Sequence, residues 1–155
     1  MQVKLNDLCS ITMGQSPKSN FYNNNEDGIP FMQGCTTFGR LFPTIDTWTT
    51  SYNKLANAND ILFTVRAPVG DINIANRDIA IGRGLAALKP RSVSSKYLYY
   101  LLLANKALFT NNSSGTVYDS INKSTLENVI LNIHTQEQQL LIVDIIEYLV
   151  FLLLS

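Results

Sequence analysis

Few residues in this 155-residue chain are equipped for chemistry, and their scarcity narrows what it can do. His134 is the only histidine, and Cys9 and Cys35 are the only cysteines, at no metal-ligand spacing. Zinc ligation and Cys–His or Ser–His catalysis therefore lack their residues. The two cysteines are expected to be buried free thiols. Gly82-Arg83-Gly84-Leu85-Ala86-Ala87 matches the dinucleotide fingerprint G-x-G-x-x-A. That fingerprint must open a long helix, however, and Pro90 follows too soon, so strand–turn–strand suits the stretch better. There is no Walker loop, and no two prolines adjoin, which removes the Asn/Asp-Pro-Pro-aromatic motif of amino-methyltransferases. Asp60, Asp71 and Asp78 could work as acid and base, yet each stands in a turn, where Asp serves the backbone. What the chain does carry is polar, Gly-rich loops bearing Arg, Lys, Gln, Asn, Ser, Thr and Tyr. These side chains reach phosphates and base edges: Arg or Lys to guanine, Asn or Gln to adenine, hydroxyls to either.

The elements that must position such groups centre on Asp60–Pro90. Ile61-Leu62-Phe63-Thr64-Val65, Ile72-Asn73-Ile74-Ala75 and Ile79-Ala80-Ile81 are short β-branched runs separated by Pro68 and Gly70, then Asn76 and Asp78, then Gly82 and Gly84. The spacing predicts consecutive antiparallel strands in a small sheet or barrel, with Arg66 and Arg83 held at strand ends by rigid turns. Upstream, Val3–Thr12 reads as a strand leading into one helical turn, Met13–Lys18 as a Gly/Pro loop, Asn20–Asp27 as loop-like, Ile29–Gln33 as a short strand, and Cys35–Arg40 as a loop followed by a mixed region to Ala58. Downstream the period changes: Ser94 and Ser95 cap a helix with Tyr97, Leu98, Leu101, Leu102 and Leu108 on its apolar face. Ser124 and Glu127 form a candidate capping box, and Val129–Ile133 is the last strand. Thr135–Gln138 then opens a terminal helix in which Ile142, Ile145, Leu149 and Leu152 make a heptad seam for a second helix. Further apolar residues widen that face, so the helix is expected to be buried or sticky.

Composition bounds the rest. An apolar fraction of 46% and a charged fraction of 15% fit one folded domain with a real core. Net charge is zero, which argues against coating nucleic acid without regard to sequence. Up to Lys123 there are 12 Lys and Arg against 8 Asp and Glu, a net of +4; from Ser124 onward there are 4 acidic residues and no basic ones. A mildly basic body and an acidic, apolar tail are suited to different work. Met1–Ile11 lacks the apolar run of a secretory signal, and Leu140–Leu154 is too short and too charged to span a bilayer. A cytoplasmic location is expected.

A series of motifs, in order, carries a family likeness: Lys4-Leu5 with Gly14-Gln15-Ser16-Pro17; Gly28-Ile29-Pro30-Phe31 with Gly34; Asp60 through Gly70; Ile81-Gly82-Arg83-Gly84-Leu85-Ala86-Ala87-Leu88; Tyr97–Leu102; Gly115-Thr116-Val117 to Ile121-Asn122-Lys123; and Glu137-Gln138. The chain resembles the target-recognition half of a type I restriction-modification specificity subunit over essentially its whole length. The resemblance implies recognition of one half of a split DNA sequence, with no catalysis of its own. It also implies helices that set the half-site spacing and hold modification subunits, which flip and methylate adenine with S-adenosylmethionine. A restriction subunit joining to cut unmodified DNA is a further implied partner. Unlike a usual family member, this sequence has one recognition domain, and its last helix stops with the apolar pattern still running. A half-subunit that dimerises through that helix, a silent cassette and a trimmed chain all remain open.

The expectation is an α+β fold: a twisted, barrel-like, mostly antiparallel sheet with packed helices and a C-terminal coiled-coil-type helix. Residues 1–134 would form the recognition domain and residues 135–155 a spacer or dimerisation helix. Candidate phosphate or base contacts are Gln15, Ser16, Lys18, Arg40, Arg66, Arg83, Ser113, Ser114, Tyr118 and Lys123. Each could instead be a solvated surface group, or, for Arg66 and Arg83, a structural ion pair with a turn Asp. Because the family shares both arginines whatever its target, they suit phosphate positioning or scaffold more than base reading, and Thr36–Lys54 is the expected source of base specificity. No cofactor or metal is expected on this chain. Double-stranded DNA, a modification subunit and a second copy or half-subunit are the expected partners. The rival readings are a protein-interaction module and a silent remnant pairing through the terminal helix.

Overall fold

Alternation along two strands explains the architecture. In Ile61-Leu62-Phe63 and Leu85-Ala86-Ala87-Leu88 every residue is buried, but successive residues join different cores. Ile61, Phe63, Ala86 and Leu88 belong to a large cluster with the helices, whereas Leu62, Leu85 and Ala87 belong to a small one with Met32, Ala56, Ile79 and Ile81. A strand buried on both faces is the middle of a layered structure. The computed structural model describes residues 1–155 and shows those layers.

In chain order the first elements are β1 (Gln2–Lys4), α1 (Leu5–Leu8) and β2 (Cys9–Met13), then a single 3-10 turn at Ser19–Phe21. Next come β3 (Tyr22–Asn23), β4 (Ile29–Met32), β5 (Trp48–Thr49), β6 (Leu55–Ala56), β7 (Ile61–Thr64), β8 (Ile72–Ile74), β9 (Ile79–Ile81) and β10 (Leu85–Pro90). The helical part follows: α2 (Ser95–Ala104), α3 (Ala107–Thr110), α4 (Lys123–Glu127), β11 (Ile130–Asn132) and α5 (Gln136–Leu154). An antiparallel sheet in the order β2-β10-β7-β8 forms the middle layer. On one side lie the helices and the antiparallel ribbon β1-β11; on the other lies a five-stranded sheet, β3-β5-β4-β9-β6.

The α+β class, the mostly antiparallel pairing and the positions of β4, β7, β8, β9 and β11 follow the sequence, whereas the two-residue strands β3, β5 and β6 carry no strand pattern in it. Two expectations about the strands need correction. The sheets stay open, with no closed barrel. The three central runs also do not form one meander: β7 and β8 pair, but β9 crosses to the other layer, parallel to β4 and antiparallel to β6. The turn between them is fixed there by Asp78, whose carboxylate accepts from Ala58 N at 2.9 Å, and by Asn59 N donating to Ala75 O at 2.8 Å.

Side-chain caps set the starts of α2, α4 and α5. Ser94 Oγ accepts from Tyr97 N at 3.1 Å, and α2 presents Tyr97, Leu98, Leu101 and Leu102 to the large core. Leu108 is not on that face: α2 ends at Ala104, and Leu108 stands half-exposed in α3. The expected Ser124–Glu127 box is also absent. Asn122 caps α4 instead, its Oδ1 accepting from Thr125 N at 2.8 Å. Thr135 and Gln138 make a full capping box on α5.

α5 lays Ile142 and Val143 against the large core, and Glu147 accepts a hydrogen bond from Tyr100 Oη at 2.8 Å with Lys96 Nζ 3.4 Å away. The expected seam is therefore split. Ile142 faces the helix's own domain, while Ile145, Leu149 and Leu152 are about half exposed on the outer face. No helix is long and apolar enough to cross a membrane.

Two substitutions test this account by chemical denaturation. Leu98→Ala, at a fully buried position, should cost about 2–5 kcal/mol. Asn122→Ala should cost about 1 kcal/mol and Ser124→Ala almost nothing, the reverse of the order a Ser124 cap requires.

Candidate nucleic-acid interface

Sheet register brings four loops to one rim. Met13, at the end of β2, pairs with Ala86 near the start of β10, and Leu85 pairs with Thr64, the end of β7. In the second sheet β4 and β9 run parallel and end together at Met32 and Ile81. The chain thus leaves or enters this rim at Gly14–Lys18, Gln33–Thr47, Val65–Asp71 and Gly82–Gly84.

Three glycines lock the loops together. Gly14 N donates to Leu85 O at 2.8 Å, Gln15 N to Ile81 O at 3.0 Å, Gly82 N to Met32 O at 2.8 Å and Val65 N to Gly84 O at 2.9 Å. A Cβ on Gly14 would come within 2.0 Å of Gly82 O, and one on Gly84 within 2.0 Å of Gln33 O. Only glycine permits backbones to cross this closely. Side chains complete the crossing: Ser16 Oγ donates to Gln33 Oε1 at 3.0 Å and accepts from Arg83 N at 3.1 Å.

Around this crossing runs an open polar trough. Thr64, Arg66, Arg83, Gln33 and Cys35 line one section; Gln15, Ser16, Lys18, Tyr22, Gln33 and Arg83 line the next. Tyr22, Phe31, Gln33, Thr36, Thr37, Asp46 and Thr47 line the third. Gln33 is common to all three and Arg83 to two, so the sections are continuous. The ion pairs of the molecule are Lys96–Glu147, Lys106–Asp71 and Lys123–Glu127, so neither Arg66 nor Arg83 is neutralised by a turn Asp. Unpaired guanidinium groups on an open rim suit anionic, planar or phosphate partners.

Of the ten candidate contacts, Gln15, Ser16, Lys18, Arg66 and Arg83 therefore share one trough. The other five do not line it. Arg40 lies toward α2, its carbonyl accepting from Tyr99 Oη. Ser113 and Ser114 occupy an exposed turn closed by Asn112 Oδ1, which accepts from Ser114 N and Thr116 N at 3.0 Å each. Tyr118 packs on the large core, and Lys123 pairs with Glu127 at 3.9 Å. The segment carrying Ser113–Lys123 meets the rim through backbone bonds, with Ala67 N donating to Asp119 O at 2.8 Å and Ile121 N to Val65 O at 2.9 Å.

Gln33 was missed, although it shows the same signal as Gln15: a glutamine beside glycine at a strand end. The carboxylates have structural partners. Asp60 accepts from Asn57 N at 2.9 Å, Asp78 holds Ala58, and Asp71 pairs with Lys106. Gly82–Ala87 is a strand–turn–strand passage with no helix after it.

The cysteines differ from expectation in one respect: Cys9 is buried, but Cys35 is only partly so, on the trough wall. Burial pushes the Cys9 thiol up to about 12, and burial together with the nearby Asp71 carboxylate raises Cys35. Maleimide labelling of the folded protein should therefore modify Cys35 alone, slowly at neutral pH and faster as the pH rises and the thiolate forms. Equal labelling of Cys9 would contradict the burial described. Gly84→Ala should lower stability by about 1–3 kcal/mol through overpacking against Gln33 O, whereas Gly34→Ala, with open space around its Cβ, should cost far less.

Comparison with known proteins identifies the family of this fold. The family model of the type I restriction modification DNA specificity domain matches residues 1–152. A putative type I restriction enzyme MjaX specificity subunit from Methanocaldococcus jannaschii is 39% identical over 131 residues, which is 83% of this chain and 31% of that protein. Among solved structures, the HsdS subunit from Thermoanaerobacter tengcongensis superposes with a TM-score of 0.81 at 40% identity, covering 96% of this chain and 36% of that one. A chain from a study of complex assembly and conformational transition of a type I R-M system gives a TM-score of 0.85 at 38% identity, covering 96% and 37%. The chain thus spans about a third of the length of these relatives. With a family match over nearly all its residues, and with the α+β architecture of HsdS subunits, the chain belongs to the type I restriction-modification DNA specificity domain family.

Proposed function

We propose that this domain reads one half-site of a split DNA sequence as part of a type I specificity subunit, and leaves methylation and cleavage to partner polypeptides. The supporting observation is the continuous trough in which Gln15, Ser16, Lys18, Gln33, Arg66 and Arg83 meet the Thr36–Thr47 wall. Arg66, Arg83 and Lys18 anchor phosphates. Gln33, Thr36 and Thr37 meet base edges in this reading, where each bidentate pair discriminates by about 1–3 kcal/mol. A chain of zero net charge is suited to this role if a modification subunit supplies most backbone contacts, since phosphate neutralisation dominates non-specific affinity. S-adenosylmethionine belongs to that subunit in this reading.

The outer face of α5 serves as the second functional surface. Leu141, Ile145, Tyr148, Leu149 and Leu152 are at least half exposed there, an apolar stripe that water leaves uncovered. A second copy or a second half-subunit covers it by helix pairing, which also sets the distance between two half-sites.

A salt-titrated shift assay on random duplex libraries, with and without a cognate modification subunit, tests the reading. Enrichment of a short half-site motif is expected. Arg83→Ala and Arg66→Ala should weaken selected and scrambled duplexes alike and lower the salt slope by about 1 each. Equal binding to all sequences, or none with the partner present, would overturn the proposal. For the helix, Leu149→Lys should convert a dimer to a monomer in light scattering with the far-UV spectrum unchanged. A wild-type monomer at every concentration would contradict self-pairing.

A further inference from the structure

The segment Gly34–Thr47 contains no regular element, yet it supplies one wall of the trough through Thr36, Thr37, Asp46 and Thr47. A wall that discriminates between bases has to hold its atoms within about 0.5 Å of the productive geometry. At its base, Phe31 N donates to Thr47 O at 2.9 Å; within it, Thr44 N donates to Thr37 O at 3.0 Å. Its tip, Phe38–Phe42, is held from β8 and α2.

Asn73 supplies two of the four hydrogen bonds that hold the tip. It stands at the middle of β8 between Ile72 and Ile74 and is only 1% exposed. Its neighbours face the large core; Asn73 points the other way, paired across the strand with Leu62. There its carboxamide makes a reciprocal pair with Gly39: Nδ2 donates to Gly39 O at 2.9 Å, and Oδ1 accepts from Gly39 N at 3.0 Å. Nδ2 also donates to Ile72 O at 2.8 Å. Beside it, Ile74 N donates to Leu41 O at 2.7 Å, and from α2 the Tyr99 hydroxyl donates to Arg40 O. The tip turn is tight, since a Cβ on Gly39 would meet Phe42 O at 2.4 Å.

A carboxamide buried in a strand of isoleucines is costly to desolvate, and an apolar residue would serve the sheet as well or better. Every atom it holds on the loop is main chain. We propose that Asn73, with Tyr99, is the positioning residue of the recognition wall. It clamps the tip through backbone alone, so that Thr36, Thr37 and Asp46 can be exchanged for other side chains, and other bases read, without loosening the loop. This rests on the DNA-reading role proposed above, and the test separates the two.

The test compares the assembled specificity complex carrying wild type, Asn73→Leu or Tyr99→Phe. Each binds a duplex bearing the half-site that wild type enriches and a scrambled duplex. Asn73→Leu should lower the ratio of the two affinities by about tenfold or more, leaving scrambled-duplex affinity and its salt slope unchanged. Tyr99→Phe should act in the same direction, more weakly, with the melting temperature preserved. Should Asn73→Leu fail to fold, Tyr99→Phe together with Gly39→Ala, which distorts the tip from the loop side of the Asn73 pair and leaves the buried residues of β8 unsubstituted, decides the matter. Unchanged discrimination in the folded variants overturns the clamp while the DNA reading stands. Equal loss on both duplexes marks a general structural role and also overturns it. A wild-type complex that enriches nothing overturns the DNA reading and the clamp together.

Discussion

The structure turns on a crossing of backbones with no room for side chains. Gly14 brings the chain after β2 against Gly82 O and Leu85 O, and Gly84 brings the turn into β10 against Gln33 O, at distances a methyl group would forbid. Gly82 leaves room for the Ser16 and Gln33 side chains. Four hydrogen bonds of 2.8–3.0 Å close the crossing. The consequence is geometric: loops from two sheets share one rim, and their polar side chains are carried by rigid strand ends. Ser16 and Gln33 are fixed to each other and to the Arg83 backbone, so part of the ordering entropy of the surface is already spent before any ligand arrives.

The layers behind the rim supply that rigidity. The middle sheet is buried on both faces, by the helix-side core around Phe63, Phe109 and Leu98 and by the smaller core around Ile79 and Ile81. Phe63 and Phe109 meet edge to face at 5.5 Å, the favoured geometry for an aromatic pair. At the far side, Tyr97 and His134 hydrogen-bond at 2.8 Å where the chain turns into α5, and Tyr100 holds Glu147 on the helix itself. The rim and the terminal helix are thus tied to the same core by α2. Loop tip and helix even share neighbours, since adjacent Tyr99 and Tyr100 serve one each.

Much of this is legible in the residues. β-Branched runs between Gly and Pro locate the strands, and Ser94 and Thr135 announce their helices because a cap is a local interaction. Sheet membership is not legible. β8 and β9 are buried on both faces, so the alternation that would assign them to a layer is missing, and a turn such as Asn76–Asp78 looks the same whether it closes a hairpin or crosses between sheets. The α4 cap failed for a related reason: Asn122 and Ser124 are both good caps, and only tertiary position chooses. Arg66 and Arg83 could be placed at the rim because each stands two residues past the end of a strand. Ser113, Ser114 and Lys123 could not, since loop composition does not say at which end of a sheet a loop emerges. The contact of Asn73 with the loop was equally hidden, because its loop partners are main-chain atoms 34 residues away.

The central claim is that the glycine-locked rim is the surface that meets DNA. Amide hydrogen exchange on the assembled specificity complex, with and without an enriched duplex, measures this most directly. The account predicts new protection at Gln15–Lys18, Gln33–Thr37, Val65–Ala67 and Gly82–Gly84, with the Asn112–Thr116 turn unaffected. Protection confined to that turn or to α4, with the rim exchanging as in the free complex, would contradict it.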